Sequence, residues 1–127
     1  MEPRPFIDTH VACWLYEGKL EKFSKPALQN IERNALYLSP FCILEMDYLY
    51  EIGRIQKTGK AVLTQLQSTL SIHLKNDEIE PLIEHSSNVQ WTRDLFDRLI
   101  TAHASLHQAN LITKDRNILK HYKHAVW

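Results

Sequence analysis

The chain has 127 residues, 44% of them apolar and 24% charged, which describes one globular domain and leaves no length for a second core. Fifteen basic and fifteen acidic residues cancel, so the overall field lends no support to nucleic-acid binding. No apolar run nears the roughly 20 residues of a membrane helix, and Phe6-Ile7 is too brief for a signal peptide, so a cytoplasmic location is expected.

Phe6-Ile7 reads as a short strand stopped by Asp8, followed by helices over Val11 to Tyr16 and Pro26 to Arg33. Ala35-Leu36-Tyr37-Leu38 is a second strand. It ends at Ser39-Pro40, where serine suits an N-cap and proline the first helical position, and the helix beginning there is predicted to run to about Gly53. Val62, Leu63, Leu66, Leu70 and Leu74 share one stripe, which predicts a continuous helix from Val62 to Leu74. Glu80-Pro81-Leu82-Ile83 fits no single pattern. The helical period returns from Leu95 to Ala109 with Asp94 as N-cap. Leu111-Ile112-Thr113 is a strand, Asn117 to Tyr122 a short helix, and Ala125-Val126-Trp127 a final edge strand. Strands alternating with helices imply an α/β fold: three layers, α/β/α, around a short parallel sheet of about four to five strands, in a single domain over residues 1–127.

Cys13 and Cys42 lie in apolar surroundings without metal-ligand spacing and are expected to be buried, reduced thiols. Charge is unevenly spread. From Trp91 onward Arg93, Arg98, Lys114, Arg116, Lys120 and Lys123 face only Asp94, Asp97 and Asp115, whereas Asp77, Glu78, Glu80 and Glu84 stand in a stretch without Lys or Arg.

In an open α/β sheet ligands bind beyond the carboxyl ends of the strands, and Asp8 and Asp115 both fall there. Each also precedes a helix, where an N-cap role would suffice. Glu45 is less easily explained. Its helical neighbours Phe41, Cys42, Tyr48 and Leu49 are all apolar or aromatic, so the carboxylate projects from the stripe facing the protein, whereas Asp47 and Glu51 fit a solvated face near Arg54. An unpaired buried charge is costly, so Glu45 needs a cation, a set of hydrogen bonds or a raised pKa. It stands six residues after Ser39, roughly 9 Å of helix rise, still within reach of a site above the strand ends. Asp97 belongs to the first turn of its helix, where the dipole favours a carboxylate. Four such groups in one place repel by on the order of 3 kcal/mol per pair at ~5 Å and an effective dielectric of about 20. All-oxygen ligation suits Mg²⁺ or Mn²⁺ rather than zinc, and the natural substrate is a phosphate ester.

The segments Phe6-Ile7-Asp8-Thr9-His10, Leu38-Ser39-Pro40 leading to Glu45, Asp94-Leu95-Phe96-Asp97-Arg98-Leu99-Ile100 and Leu111-Ile112-Thr113-Lys114-Asp115 together resemble the PIN-domain family. The likeness is to its VapC-type toxins, the ribonuclease halves of toxin–antitoxin pairs, and runs from Phe6 to Trp127. It implies a parallel sheet with an acidic pocket for Mg²⁺ or Mn²⁺, an RNA substrate, a homodimer and a cognate antitoxin. Asp8, Glu45, Asp97 and Asp115 match the family's four acids in order. Thr9, Ser39, Thr113 and Asn117 flank them as groups that orient the acids or hold water. The implied chemistry is in-line hydrolysis by a metal-activated water, leaving a 5′-phosphate and a free 3′-hydroxyl. Asp8, Asp97 and Asp115 would anchor one cation, and Glu45 would orient or deprotonate the water or help hold a second cation. Two positions depart from the pattern: Leu95 stands where proline is usual, and Thr92 where histidine is common. Neither is one of the four acids.

Other chemistries fit less well. His103 and His107 have the i, i+4 spacing of a zinc hydrolase helix, but Ala104 stands where that signature needs glutamate. His121 and His124 read as exposed. An aspartyl-phosphate phosphatase usually has a second Asp two residues after the first, where this chain has His10. A non-catalytic PIN-like module binding RNA or protein is the alternative that loss of an acid would favour, and all four acids are present.

Overall fold

Short β-branched and aromatic runs flanked by N-capped helices produce the expected alternation in the computed structural model, which describes residues 3–127. The strands are β1 (Phe6–Ile7), β2 (Leu36–Leu38), β3 (Ile72–Leu74), β4 (Leu111–Ile112) and β5 (Ala125–Val126). The helices are α1 (Thr9–Glu17), α2 (Lys25–Arg33), α3 (Pro40–Glu51), α4 (Gly59–Gln67), α5 (Ile79–Ser86), α6 (Leu95–Leu106) and α7 (Arg116–His121). All strand pairs are parallel, in the order β3-β2-β1-β4-β5. Phe6, Ile7, Leu111 and Ile112 are fully buried, as parallel strands covered by helices on their faces require. The chain builds outward from β1 to β2 and β3, then returns to place β4 and β5 on the other side. The reversal therefore falls between β1 and β4, where the crevice of such a sheet opens.

The stripe from Val62 to Leu74 is two elements rather than one helix. α4 stops at Gln67, where the Ser68 and Thr69 hydroxyls donate to the carbonyls of Gln65 and Leu66 and take over the last turn. Ile72 and Leu74 then alternate around His73 and pair in register with Leu36 and Leu38, supplying the strand beside β2. Spacings of four residues at 66, 70 and 74 agree with a helix, but Ile72 and Leu74 also have the period of a strand. Val62 and Leu66 are core residues. The ambiguous segment around Pro81 is α5, with the proline inside the first turn.

Asp47 is not simply solvated. Its Oδ1 accepts a 2.8 Å hydrogen bond from the Gly59 N–H and ties α3 to the start of α4. A Cβ on Gly59 would stand 2.6 Å from the Ile43 carbonyl oxygen, so only glycine allows this approach. The α3 helix ends at Glu51, two residues early, with Gly53 at φ 79°. Cys13 and Cys42 are buried free thiols. His121 is exposed, but His124 is half-buried, its ring packed 5.7 Å from that of Tyr122. Among the described residues no helix is long and apolar enough to cross a membrane.

Candidate active site

Three of the four acids are delivered by a strand end or by the helix that follows one, and Asp97 by α6, which follows α5. Asp8 leaves β1 as the N-cap of α1. Its backbone N–H still donates to Ile112, its Oδ1 accepts from the Thr9 N–H at 2.8 Å and its Oδ2 from the Thr113 hydroxyl at 2.7 Å. Asp115 caps α7, with Oδ1 accepting from the N–H groups of Asn117 and Ile118. Thr113 links the two, because its Oγ1 also accepts from the Asp115 N–H at 3.0 Å. The N-cap reading and the pocket reading of these acids are therefore compatible: Asp115 caps with one oxygen only, and Asp8 Oδ2, which accepts one hydrogen bond from Thr113, keeps a second lone pair.

Glu45 projects inward from α3 and is only 8% exposed, with its Oε1 buried and without a hydrogen-bond partner; the hydroxyl of Thr9 is buried and unpaired as well. Asp97 sits in the first turn of α6, whose N-cap is Asp94, accepting from the N–H groups of Phe96 and Asp97.

Electrostatic coupling runs through all four acids. Burial pushes the Asp97 carboxyl up to about 8, reinforced by the charges of Asp8, Asp94, Asp115 and Glu45. Burial also raises Asp8, against the pull of Thr113 and Thr9 and with a contribution from Asp115. Glu45 is raised by burial first, against the pull of the Thr9 hydroxyl, which lies near it without forming a well-aligned hydrogen bond, and then by Asp8. Among the described residues, none of the four forms an ion pair. The four are oxygen donors of the kind a hard divalent cation takes, with no positive side chain paired to them, although among the described residues no three of them bring their ligand atoms within 4.8 Å of one another.

The flanking residues divide. Thr113 bonds Asp8, and Thr9 is packed beside the acids. Ser39 spends its hydroxyl elsewhere, 2.7 Å from His103 Nδ1, while capping Phe41 in α3. Asn117 uses its backbone N–H on Asp115, and its side-chain amide donates to the Trp91 carbonyl at 3.4 Å. Arg98 is committed to the Ser86 carbonyl at 2.9 Å, tying α6 to the end of α5. Two groups at the mouth had no separate signal in the sequence: His10 and Trp14 line a cleft of about 270 Å³ with Asp8, Lys114 and Asp115. Their positions two and six residues beyond Asp8 on α1 are the only clue to them. Leu95, in place of the usual proline, is 67% exposed and leaves the Asp94 cap intact. Thr92 accepts from the Asp94 N–H.

A five-stranded parallel sheet with acidic side chains beyond the ends of β1 and β4 defines an α/β domain whose candidate site lies at the reversal of its strand order. The PIN domain family matches residues 6–124, and the chain belongs to that family. It is 33% identical over 119 residues to Ribonuclease VapC22 of Mycobacterium tuberculosis, covering 91% of this chain and 89% of that protein. In fold it is similar to VapBC2 of Rickettsia felis, solved bound to a DNA fragment from its promoter, with a TM-score of 0.66, 13% identity and coverage of 93% and 92%. It is also similar to a toxin–antitoxin complex from Klebsiella pneumoniae, with a TM-score of 0.60, 19% identity and coverage of 97% and 96%.

Proposed function

We propose that this chain is a divalent-metal-dependent endoribonuclease and the toxin of a type II toxin–antitoxin pair. The observation that carries the proposal is the group of Asp8, Glu45, Asp97 and Asp115, mutually repelling, two of them buried and two half-buried, and without an ion-pair partner. The sequence likeness to a protein named a ribonuclease supports the activity, and the VapBC and toxin–antitoxin structures support the pairing.

Asp8, Asp97 and Asp115 would hold Mg²⁺ or Mn²⁺, with Glu45 beside them. The donor set fits, being all oxygen, and the partnerless Oε1 of Glu45 is a further group that positive charge would satisfy. Bound there, such an ion supplies Lewis-acid charge to a phosphate oxygen and lowers the proton affinity of water. The chain's own groups do the rest. Glu45, its proton affinity raised by burial, takes the proton of the attacking water at Oε1. Thr113 and the Thr9 N–H fix both oxygens of Asp8, so the anchor does not rotate. Lys114, whose ammonium donates to the Lys22 carbonyl at 3.2 Å and lies over the Trp14 ring, is the cation at the mouth that a phosphate of the RNA backbone would meet. A second copy or an antitoxin would bury apolar area at Leu44 and Tyr48 of α3, at Ile52 just beyond it and at Leu95, all exposed.

The test is cleavage of a panel of labelled RNAs by the purified chain, with Mg²⁺ or Mn²⁺ and with EDTA, beside Asp8→Asn. Cutting that requires the metal and is lost in the variant is expected. Metal-independent cutting equal in the variant would refute the mechanism. A folded protein that cuts nothing, structured RNAs included, would move it to the non-catalytic binding class.

A further inference from the structure

Outside the acid pocket, three donor atoms meet between the loop after β3 and the C-terminal half of α6. Asp77 Oδ2 lies 2.9 Å from His103 Nε2 and 2.8 Å from His107 Nε2, and the three atoms all lie within 4.8 Å of one another. We propose that Asp77, His103 and His107 form a second metal site, independent of the four carboxylates, that takes a borderline transition-metal ion such as Zn²⁺. The proposal does not rest on the nuclease reading.

Donor chemistry separates the two sites. Two imidazoles and one carboxylate suit Zn²⁺, whereas Mg²⁺ prefers oxygen and keeps its waters. Histidines one turn apart on a helix reach the same point, and the third ligand stands 26 residues before His103 in sequence, beyond any local signature. Three protein ligands leave a fourth position open. Here it faces a cleft of about 480 Å³ lined by Asp77, Glu78, Pro81, Leu106 and His107.

The orienting partner is already present. His103 is fully buried, and its Nδ1 is 2.7 Å from Ser39 Oγ, which holds the ring with Nε2 toward Asp77. Without an ion, both rings donate Nε2–H to Oδ2, and the Ser39 hydroxyl donates to His103 Nδ1. With an ion, each ring presents its Nε2 lone pair and carries its proton on Nδ1, so Nδ1–H of His103 donates to Ser39 Oγ. Neutral rings change tautomer with no net loss of protons. Ligands around a tetrahedral ion with bonds of about 2.0–2.1 Å stand roughly 3.3 Å apart, so the cluster must open by about half an ångström. The two members free to move are Asp77, on a loop and 19% exposed, and His107, at the end of α6 and 28% exposed. Lys75 sits 3.3 Å from the other Asp77 oxygen, Oδ1; it steadies the carboxylate, and its charge opposes the ion.

The experiment strips the full chain with EDTA, dialyses it, and titrates ZnCl₂ in competition with a chromogenic chelator of micromolar affinity. His107→Gln, Asp77→Asn and Asp8→Asn are compared with the parent, each checked for fold by circular dichroism. One Zn²⁺ per chain is expected to bind at least about tenfold more weakly in His107→Gln and in Asp77→Asn and unchanged in Asp8→Asn. In parallel, Co²⁺ is expected to give the visible absorption of nitrogen-ligated cobalt, absent from His107→Gln. Zinc affinity untouched by His107→Gln, loss of the same ion in Asp8→Asn, or no binding within the chelator's range would each overturn the proposal.

Discussion

Two polar clusters in this domain are held in opposite ways. At the ends of β1 and β4, Asp97 is driven up to about 8 by burial and by four neighbouring carboxylates. At the end of β3, burial also opposes ionisation of Asp77, but hydrogen bonds from His107 and His103, with Lys75 beside them, hold its carboxyl down at about 2. Burial keeps the His103 ring toward its neutral form, so it acts there as a hydrogen-bond donor rather than as a counter-ion. The same side chain is thus a liability in one place and an anchor in the other. The Asp77 cluster is complete with the chain's own atoms. The Asp8 cluster lacks positive charge, as expected of a place kept for chemistry rather than for stability.

The largest expected effect strikes the incomplete cluster. Asp8→Asn should slow metal-dependent RNA cleavage by about a thousandfold, about 4 kcal/mol of barrier, in single-turnover assays; a loss under about tenfold would take Asp8 out of the reaction. The complementary change breaks the complete cluster. His103→Ala should cost about 3 kcal/mol, because it opens a cavity and strips a partner from both Ser39 and Asp77. Urea unfolding measures it, and a cost below about 1 kcal/mol would mean that the cluster does not brace α6.

A smaller effect of opposite sign distinguishes the two sites. Asp97→Asn removes repulsion, so the metal-free melting temperature near pH 9 should rise by about 3–6 °C, roughly what 1 kcal/mol does in a chain of this size. A fall would mean that the carboxylate contributes more than it costs. The mildest test is pH itself. The folded Asp97 keeps a proton that the unfolded chain releases from its ordinary value of 3.8, so this contribution is fully present below about pH 4 and is lost as pH rises toward 8. Asp77 runs the other way: its contribution is present above its ordinary 3.8 and is lost as pH falls toward 2. Unfolding midpoints across pH 5 to about 9, with and without Mg²⁺, should show a metal-free decline that the ion flattens. A metal-free profile with no decline would remove the Asp97 argument.

What could be read beforehand followed local signals. Asp8 and Asp115 stood at strand ends, Ser39-Pro40 announced α3, and Glu45 betrayed itself as a charge among Phe41, Cys42, Tyr48 and Leu49. What escaped was non-local or doubly coded. Leu74 fits a helical stripe and a strand alternation equally, and only pairing with Leu38 decides between them. His103 and His107 were visible as a pair, but Asp77 reaches them only through the placement of β3 and α6. The commitment of Ser39 to His103, across 64 residues, had no sequence signature at all.

The hydrogen bond from Thr113 to Asp8 joins groups 105 residues apart, across the junction of β1 and β4. It sets the order in which the surroundings of Asp8 can be completed. A chain emerging residue by residue carries Asp8 from the outset, but that carboxylate has neither its hydroxyl partner nor Asp115 nearby until nearly the whole polypeptide is available. Contacts at such separation are the slow ones in folding. The acid pocket is therefore a late product of synthesis, and fragments that stop before β4 carry the first acid without the partners that complete its site.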